Sequence, residues 1–348
     1  MYQREMCETF VTYTNMREYR FLLVSLQAET ILRETTIHRR RNRLHAMGGG
    51  EGLGEAYGAT LERIRAQEGE KAKLAMTTLM WICHSERPLR VDELRHALAV
   101  EVGSTHFNNE NVPVTETLLT CCQGLVAVDK EASTFRLIHH TLREHLSTHR
   151  NLFPQAHLEM AEACLTYLNL DQAKALPAKP QPGLSSMPFL KYSSRYWGTH
   201  ARRELSDHAR SLALGLLGQY ENHVASNLLS EQILNPDDSQ EFNSPSLLSG
   251  LHCASFFGIV DVMTTLLQMS RCDPNRGDFV GITPLSWAVM DGQEEAVALL
   301  LREEAVDPNM PDNNGSTTFV GCNERARASG EAAFRPARHR PRQTRQQK

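Results

Sequence analysis

The sequence lacks the motifs that mark most enzymes and membrane proteins. No G-x-x-x-x-G-K-[ST] phosphate-binding loop occurs, because the glycine-rich run at 48–58 has no lysine after its glycines. No G-x-S-x-G turn is present to expose a hydrolase serine. The longest apolar stretches, such as 21–26 and 296–301, are too short to span a membrane, and residues 1–20 lack a signal-peptide pattern. These absences predict a cytoplasmic protein with no membrane segment, no catalytic residues and no cofactor.

The cysteines and histidines show no arrangement that predicts a metal site. The 8 cysteines are scattered, the one close pair, Cys121 and Cys122, is adjacent, and no C-x-x-C occurs. His145 and His149 lie one helical turn apart, but Leu146 stands where a zinc protease has glutamate. We therefore interpret the cysteines as reduced, apolar side chains of an intracellular protein, and we predict no bound metal.

The net charge of −4 conceals a strong asymmetry along the chain. Residues 323–348 carry eight Lys or Arg against two Glu, and this surplus of six positive charges leaves −10 for residues 1–322. An acidic body of this kind binds nucleic acid poorly. The basic tail has no helical periodicity and contains two prolines, so it is predicted to be disordered.

Two passages near the C-terminus repeat one another at an offset of 34 residues. GLHCASFFGIVDVMTTLL, at 250–267, aligns without a gap with PLSWAVMDGQEEAVALLL, at 284–301. In both, a glycine between two short helices allows the positive φ at which the chain reverses. The second helix of the later passage, residues 294–302, places Val297, Leu300 and Leu301 on one stripe, which a lone hairpin cannot bury. The identical pairs are Leu251/Leu285, Ala254/Ala288, Gly258/Gly292, Leu266/Leu300, Leu267/Leu301 and the D-P-N turns at 273–275/307–309.

Thr283-Pro284-Leu285, then Ala288, Gly292, a Leu-Leu pair and a D-x-N turn resemble the ankyrin repeat, whose period is about 33 residues. The resemblance implies stacked hairpins whose turns and inner helices bind other proteins. In the first repeat, Ser249 and Gly250 replace Thr and Pro, so we expect a weaker helix start there. A third repeat opens at 315–319 and then stops. The predicted partner-binding residues are Gly277, Asp278, Phe279, Ser286, Met290, Pro311, Asp312 and Asn313.

The middle of the chain reads as several helices followed by a β-hairpin, which predicts a winged-helix domain. Polar residues 130–133 separate two β-branched runs and form the predicted hairpin turn. The predicted elements are helices at 53–65 (Tyr57, Leu61 and Ile64 inward), 74–83, 91–100 (Leu94 and Leu98 inward) and 115–122 (ending at Gly124), and strands at 125–129 and 134–138.

Four passages in this region resemble the stretch that joins NACHT-type ATPase domains to ankyrin arrays in fungal relatives of NOD-like receptors. Its winged-helix unit is known as GPI inositol-deacylase-like, a label of kinship that implies no deacylase activity. FLLVSLQAETILRETTIHRRRNRLHAM, at 21–47, further resembles the helical end of a NACHT module. The four passages are ERPLRVDELRHALAV, LLTCCQGLVAVDKEASTFRLIHHTLREHL, FPQAHLEMAEACLTYL and FLKYSSRYWGTHAR.

The chain departs from that family in two ways. Arg90 stands at a helix start where the family has Thr, and loss of an N-cap hydroxyl costs about 1 kcal/mol. The phosphate-binding half of the ATPase is absent, so nucleotide switching does not carry over. The resemblance therefore implies the regulatory and sensing portion of such a protein, and a truncated gene product is one interpretation.

The predicted fold class is mainly α: a winged-helix-type domain with one β-hairpin, a helical adaptor, and a short ankyrin solenoid. About three repeats are usually needed for stability, so the two repeats must lean on the adaptor. Its aromatic series at 189–197 is expected to be core. The predicted domains are a NACHT remnant (1–50), a winged-helix domain (51–170), a proline-rich linker (171–188), the adaptor (189–244), two ankyrin repeats and a partial third (245–318), and the basic tail (319–348).

These patterns predict a non-enzymatic interaction module of a fungal NOD-like-receptor-type protein. The ankyrin repeats would bind a protein partner, and the winged-helix unit would regulate a NACHT ATPase domain. Two alternatives stay open: a winged-helix DNA-binding regulator, and a decayed gene fragment without a partner. The predicted wing, with Asp129, Lys130 and Glu131, argues against nucleic acid, while the basic run Arg39, Arg40, Arg41 and Arg43 favours phosphate binding.

Overall fold

A computed structural model describes residues 35–39, 53–177, 186–234 and 248–317. The chain divides into two compact units, residues 1–101 with 107–160, and residues 102–106 with 161–348. The described residues are mainly helical with one two-stranded antiparallel sheet, as predicted. The predicted NACHT remnant, apart from residues 35–39, and the tail beyond 317 lie outside the described residues. No described helix is both long and apolar enough to cross a membrane.

The first unit contains the predicted helices and hairpin in the predicted order. A 3-10 turn lies at Asn109–Asn111. The division between the two units falls inside the helix Ala156–Asn169. The elements are α1 (Leu53–Arg65), α2 (Glu70–His84), α3 (Val91–Leu98), α4 (Thr115–Cys121), β1 (Val126–Asp129), β2 (Thr134–Leu137), α5 (His140–Thr148) and α6 (Ala156–Asn169).

Helix α2 lies at the centre of the first unit. It packs against α1, α3, α4, α5 and β2. Its apolar residues surround the helix on nearly all sides, and Ala75, Leu79 and Trp81 are buried. Arg143 of α5 donates to the carbonyl oxygens of Ile82 and Cys83, which satisfies the carbonyls at the C-terminal end of α2. This buried helix therefore holds the surrounding elements together.

The hairpin gains a third strand segment from the residues before α3. Val126 pairs with Leu137, and Asp129 with Thr134. An antiparallel bridge joins Arg90 to Thr134, and Phe135 donates its N–H to the carbonyl of Leu89. The turn closes with Ser133 at φ 50°. A strand segment, helices and a terminal hairpin in this order form the winged-helix topology.

One expectation about α3 needs correction. Leu98 is only half-buried, and Ala97 and Glu93 lie inward beside Leu94. The helix start keeps one of the two bonds of a capping box, because Glu93 Oε2 accepts the Arg90 backbone N–H at 2.8 Å, but the arginine side chain offers no acceptor for the first N–H groups of the helix. Arg87 holds that carboxylate through two contacts of 2.7 Å, so the buried charge is paired.

The described residues of the second unit form helices and turns, with an isolated antiparallel bridge between Pro311 and Thr317. A 3-10 turn lies at Tyr220–Asn222. The helices after α6 are α7 (Asp171–Lys174), α8 (Leu190–Arg203), α9 (Asp207–Leu217), α10 (Val224–Leu234), α11 (Gly250–Phe257), α12 (Val260–Leu267), α13 (Pro284–Met290) and α14 (Glu294–Leu300).

Two helix pairs, α11–α12 and α13–α14, stack on helices α8 and α9 in the second unit. Inner helix α11 packs between α8 and α13, and outer helix α12 packs between α9 and α14. Helices α8 and α9 therefore occupy the place of a preceding repeat. Phe189, Tyr192 and Trp197 are completely buried, so the aromatic series is core, as expected. The α8–α11 contact is close, because a Cβ on Gly198 would lie 2.1 Å from the Phe257 ring.

The start of α11 is firmer than the sequence suggested. Ser249 Oγ accepts the His252 N–H, while His252 Nδ1 accepts the Ser249 N–H at 3.2 Å. These reciprocal bonds form a capping box in which histidine replaces the usual Glu or Gln. At the other end of the array, Leu300 is buried as predicted but Leu301 is 55% exposed, because no described repeat follows α14.

Candidate partner-binding surface

The two turns that precede Thr283 and Thr317 have the same geometry, 34 residues apart. Asp278 N–H donates to the Ile282 carbonyl at 3.0 Å, and Asp312 N–H donates to the Ser316 carbonyl at 2.8 Å. Gly281 and Gly315, three residues after each aspartate, have φ 88° and 80°. Each aspartate carboxylate also accepts two backbone N–H groups of its own turn. The turns are therefore rigid projections built by one repeated pattern.

Asp278 supports its turn from inside. Its side chain is only 5% exposed, and Oδ1 accepts the N–H groups of Val280 and Ile282, both at 2.9 Å. Oδ2 accepts the indole N–H of Trp287 at 3.1 Å. Burial raises the pKa of Asp278, and these hydrogen bonds oppose that shift. The structure thus places Asp278 beneath the turn surface, where a protein partner does not reach its carboxylate directly.

Consecutive turns are joined edge to edge. Asn313 donates its backbone N–H to the Val280 carbonyl at 2.9 Å, and its amide to the Phe279 carbonyl at 3.1 Å. A Cβ on Gly281 would lie 2.8 Å from the Asn313 nitrogen, so only glycine allows this approach. Gly277 approaches Gly281 just as closely, since its Cβ would lie 2.8 Å from the Gly281 Cα. The two turns form one continuous edge.

The inner helix α13 begins beside that edge. Thr283 caps it by accepting the Ser286 N–H at 3.3 Å, and Pro284 occupies the first helical position. Ser286 is half-buried, with its hydroxyl 3.1 Å from Thr283 Oγ1. Met290, the last residue of the helix, is also half-buried. The partly accessible face of α13 thus adjoins the turns.

The predicted partner-binding residues differ in accessibility. Pro311 and Asn313 are exposed, and Asp278 is buried. The structure brings these residues onto one edge of the array, while their contact with a partner stays a prediction. The half-buried residues are Gly277, Phe279, Ser286, Met290 and Asp312.

Two residues that hold the surface together were not identified from the sequence. His252 Nε2 lies 3.0 Å from the Ile282 carbonyl, which joins α11 to the base of the next turn. Asn275 donates its amide to the Ala305 carbonyl and accepts the Asp307 N–H. The sequence displays the D-x-N repeat, but not the bridge that Asn275 forms to the next repeat. The second repeated pattern, D-x-x-G-x-T at 278–283 and 312–317, was also a signal for the turn geometry.

Comparison with known protein families agrees with this geometry. Residues 61–155 match the family model described as GPI inositol-deacylase, winged helix domain. Residues 222–320 match the model described as Ankyrin repeats (3 copies). The chain carries a winged-helix domain followed by ankyrin repeats. A search of curated proteins finds no match to this chain.

These matches confirm the predicted fold class. The ankyrin match begins at residue 222, so it includes α10, which the sequence assigned to the adaptor. Winged-helix and ankyrin folds are not catalytic by themselves, although the first family takes its name from an enzyme. The predicted domain boundaries stay predictions. Ankyrin repeats generally mediate protein–protein contact, which fits the exposed turn edge described above.

Proposed function

We propose that this chain is a non-enzymatic protein-interaction module in which the ankyrin turns and α13 bind a protein partner. The observation that supports the proposal most directly is the rigid, continuous turn edge at 277–281 and 311–315. Aspartates and glycines hold the backbone of that edge, so little conformational entropy remains to be lost on binding. The exposed side chain of Pro311 is then available for recognition.

We further propose that the module belongs to a fungal NOD-like-receptor-type protein and that the winged-helix domain regulates a NACHT ATPase domain. The order of domains, winged helix before ankyrin repeats, supports this assignment. Transcript sequencing upstream of Met1 tests it. An in-frame Walker motif supports the assignment, and an upstream stop codon in every transcript argues against it.

The partner-binding role is tested by comparing two surfaces of the same array. The turn variant is Pro311→Arg, and the control is Ala298→Arg, which places the same side chain on the exposed outer helix α14. Quantitative capture from an extract of the source cells should recover specific proteins with the wild type and the control. Recovery should fall about tenfold or more with the turn variant, since a mismatched interface residue costs more than about 1.4 kcal/mol. Equal recovery with all three proteins contradicts the proposal.

Duplex DNA binding is the rival function. Helix α4, which directly precedes the hairpin, has the sequence TETLLTC and carries Glu116 but no Lys or Arg. The hairpin turn presents Asp129 and Glu131 beside Lys130, and only Arg39 of the basic run lies within the described residues. Duplex affinity that falls steeply with salt, and that is lost with Arg39→Ala and Arg41→Ala, would replace the interaction proposal.

A further inference from the structure

The described part of the array ends on a surface whose counterpart one repeat earlier contacts the next repeat. We call it the open end and define it by Met290, Leu301, Asn309, Met310 and Asn314. Leu301 is 55% exposed and Met310 is 36% exposed. Leu267, the counterpart of Leu301, is half-buried next to the second repeat. The internal repeat therefore shows what kind of contact the open end can make.

The first repeat uses the equivalent groups to hold the second. Asn275, the counterpart of Asn309, donates to the Ala305 carbonyl at 2.6 Å and accepts the Asp307 N–H at 2.7 Å. The Asn313 N–H donates to the Val280 carbonyl. One repeat later, the corresponding carbonyl is that of Asn314.

The last residues of the inner helix make a further pair of contacts. Gln293 Nε2 donates to the Phe256 carbonyl at 2.9 Å. One repeat later, the corresponding carbonyl is that of Met290. The Phe256 ring packs edge-on against Trp287, with ring centroids 5.7 Å apart. Backbone hydrogen bonds and apolar contact thus act together at this junction.

At the open end the same groups are present without these contacts among the described residues. No described residue bonds the Asn309 carboxamide, or the carbonyls of Asn314 and Met290. The open end therefore offers apolar side chains, a carboxamide and backbone acceptors together. Its complement is a polypeptide that supplies N–H donors and apolar groups.

The charge of the second repeat indicates which kind of polypeptide binds the open end. From residue 291 to 312 the chain has seven acidic side chains and one basic side chain, Arg302, which gives a net charge of −6. Glu303 and Glu304 are exposed directly beside Leu301. Residues 323–348, the basic segment, carry a net charge of +6 and begin six residues after Thr317, where the described array ends. Opposite charges held this close on one chain meet at high effective concentration.

The sequence after Thr317 also retains part of the repeat pattern. At the offset of 34, Thr317 corresponds to the helix cap Thr283, Phe319 to Leu285, and Phe334 to Leu300. Phe319 and Phe334 supply apolar side chains, and the arginines supply N–H donors and positive charge.

We propose that residues 318–348 bind the open end of their own array, in place of a complete third ankyrin repeat. The inference does not depend on partner binding by the turns. In this arrangement the basic segment shields Leu301 and Met310 from water and neutralises the acidic second repeat. Because the open end adjoins Pro311 and Asn313, the bound segment also limits access to that part of the turn edge.

Hydrogen exchange of the full chain tests this proposal. Amides of 294–317 are compared between the full chain and a chain that ends after Cys322, with amides of 250–267 as an internal reference. A segment bound nine-tenths of the time slows exchange by about tenfold, since exchange proceeds from the free form. We expect exchange at 294–317 to be about tenfold faster in the shortened chain, which lacks the basic segment and Phe334, and unchanged at 250–267.

A second variant leaves the chain length intact. Glu303→Lys with Glu304→Lys changes two exposed side chains, and Glu131→Lys in the hairpin turn is the matched control. The double variant should accelerate exchange at 294–317 like the truncation, whereas the control should not.

Three results would overturn the proposal. Identical exchange in the full and shortened chains would show that the segment does not bind. Protection that grows with protein concentration, together with dimers in ultracentrifugation, would assign the open end to a second copy of the chain. Protection that appears only when cell extract is added would assign it to another protein.

Discussion

The winged-helix unit and the ankyrin array distribute their contacts differently. In residues 53–160, most elements pack against the single buried helix α2. In residues 186–317, the α11–α12 pair packs against helices α8 and α9 before it and against the α13–α14 pair after it. The first arrangement makes stability a property of the whole unit, because most of its elements depend on one centre. The second makes stability a sum of neighbour contacts, so damage can stay local.

The largest effect should come from the centre of the first unit. Trp81→Ala removes a buried indole from α2 and should lower the free energy of unfolding by about 3–5 kcal/mol. Hydrogen exchange during urea unfolding should show lost protection throughout residues 53–160 and native protection in the array. Val114→Ala, at an exposed position of the same unit, is the control and should change stability by less than about 0.5 kcal/mol. Lost protection confined to α2 would contradict a single cooperative unit.

Acid should affect the second unit through two buried histidines. Burial lowers the pKa of His252 from 6.5 to about 4, and does the same for His223. In the unfolded chain both histidines bind protons at a higher pH than they do in the folded protein. The free energy of unfolding should therefore decrease as the pH falls from 6.5 to about 4. The slope is about 1.4 kcal/mol per pH unit for each residue. His252→Gln should remove about half of the slope in pH-dependent urea unfolding of the second unit, and an unchanged slope would contradict this account.

A change inside one turn should be smaller and local. Asp278→Asn places an amide donor against the indole N–H of Trp287, and should cost about 1–3 kcal/mol. Asp312→Asn, at the equivalent position 34 residues later, is the matched control, since only backbone N–H groups among the described residues donate to that carboxylate. Thermal unfolding should show a larger loss of stability for Asp278→Asn than for Asp312→Asn. Equal losses would show that the Trp287 contact contributes nothing.

The smallest effect is a gain of stability. Arg90→Thr introduces a hydroxyl at the start of α3 and should stabilise the first unit by about 0.5–1 kcal/mol, because Glu93 satisfies the N–H of residue 90 but no N-cap side chain accepts the first N–H groups of the helix. Arg90→Ala removes the same arginine without adding a cap, and serves as the control in urea unfolding. A similar gain with both variants would assign the effect to loss of the arginine charge.

Most elements were predictable because local signals agreed with the fold. Gly124, Gly258 and Gly292 each mark a helix end where the chain takes a positive φ. The 34-residue repeat predicted α11–α14, and the β-branched runs predicted the hairpin. Those predictions rest on periodicity and backbone preferences, which a single sequence displays directly.

Burial within the repeats was less predictable. The identical aspartates Asp278 and Asp312 differ, because Trp287 follows the first and covers it, whereas residue 321 at the corresponding later position is glycine. The start of α11 was expected to be weak, since Ser249 and Gly250 replace Thr and Pro, yet His252 completes a capping box with Ser249. Each of these depends on a side chain whose geometry the local pattern does not specify.

The sequence by itself determined the order of helices and strands, the places where the chain turns, and the repeat that makes hairpins stack. Only the tertiary structure decided which of two equivalent residues is buried. Leu267 is half-buried beside the second repeat, while Leu301 is exposed after it. The physical reason is that a turn or helix follows from nearby residues, whereas burial depends on which neighbour lies against each face.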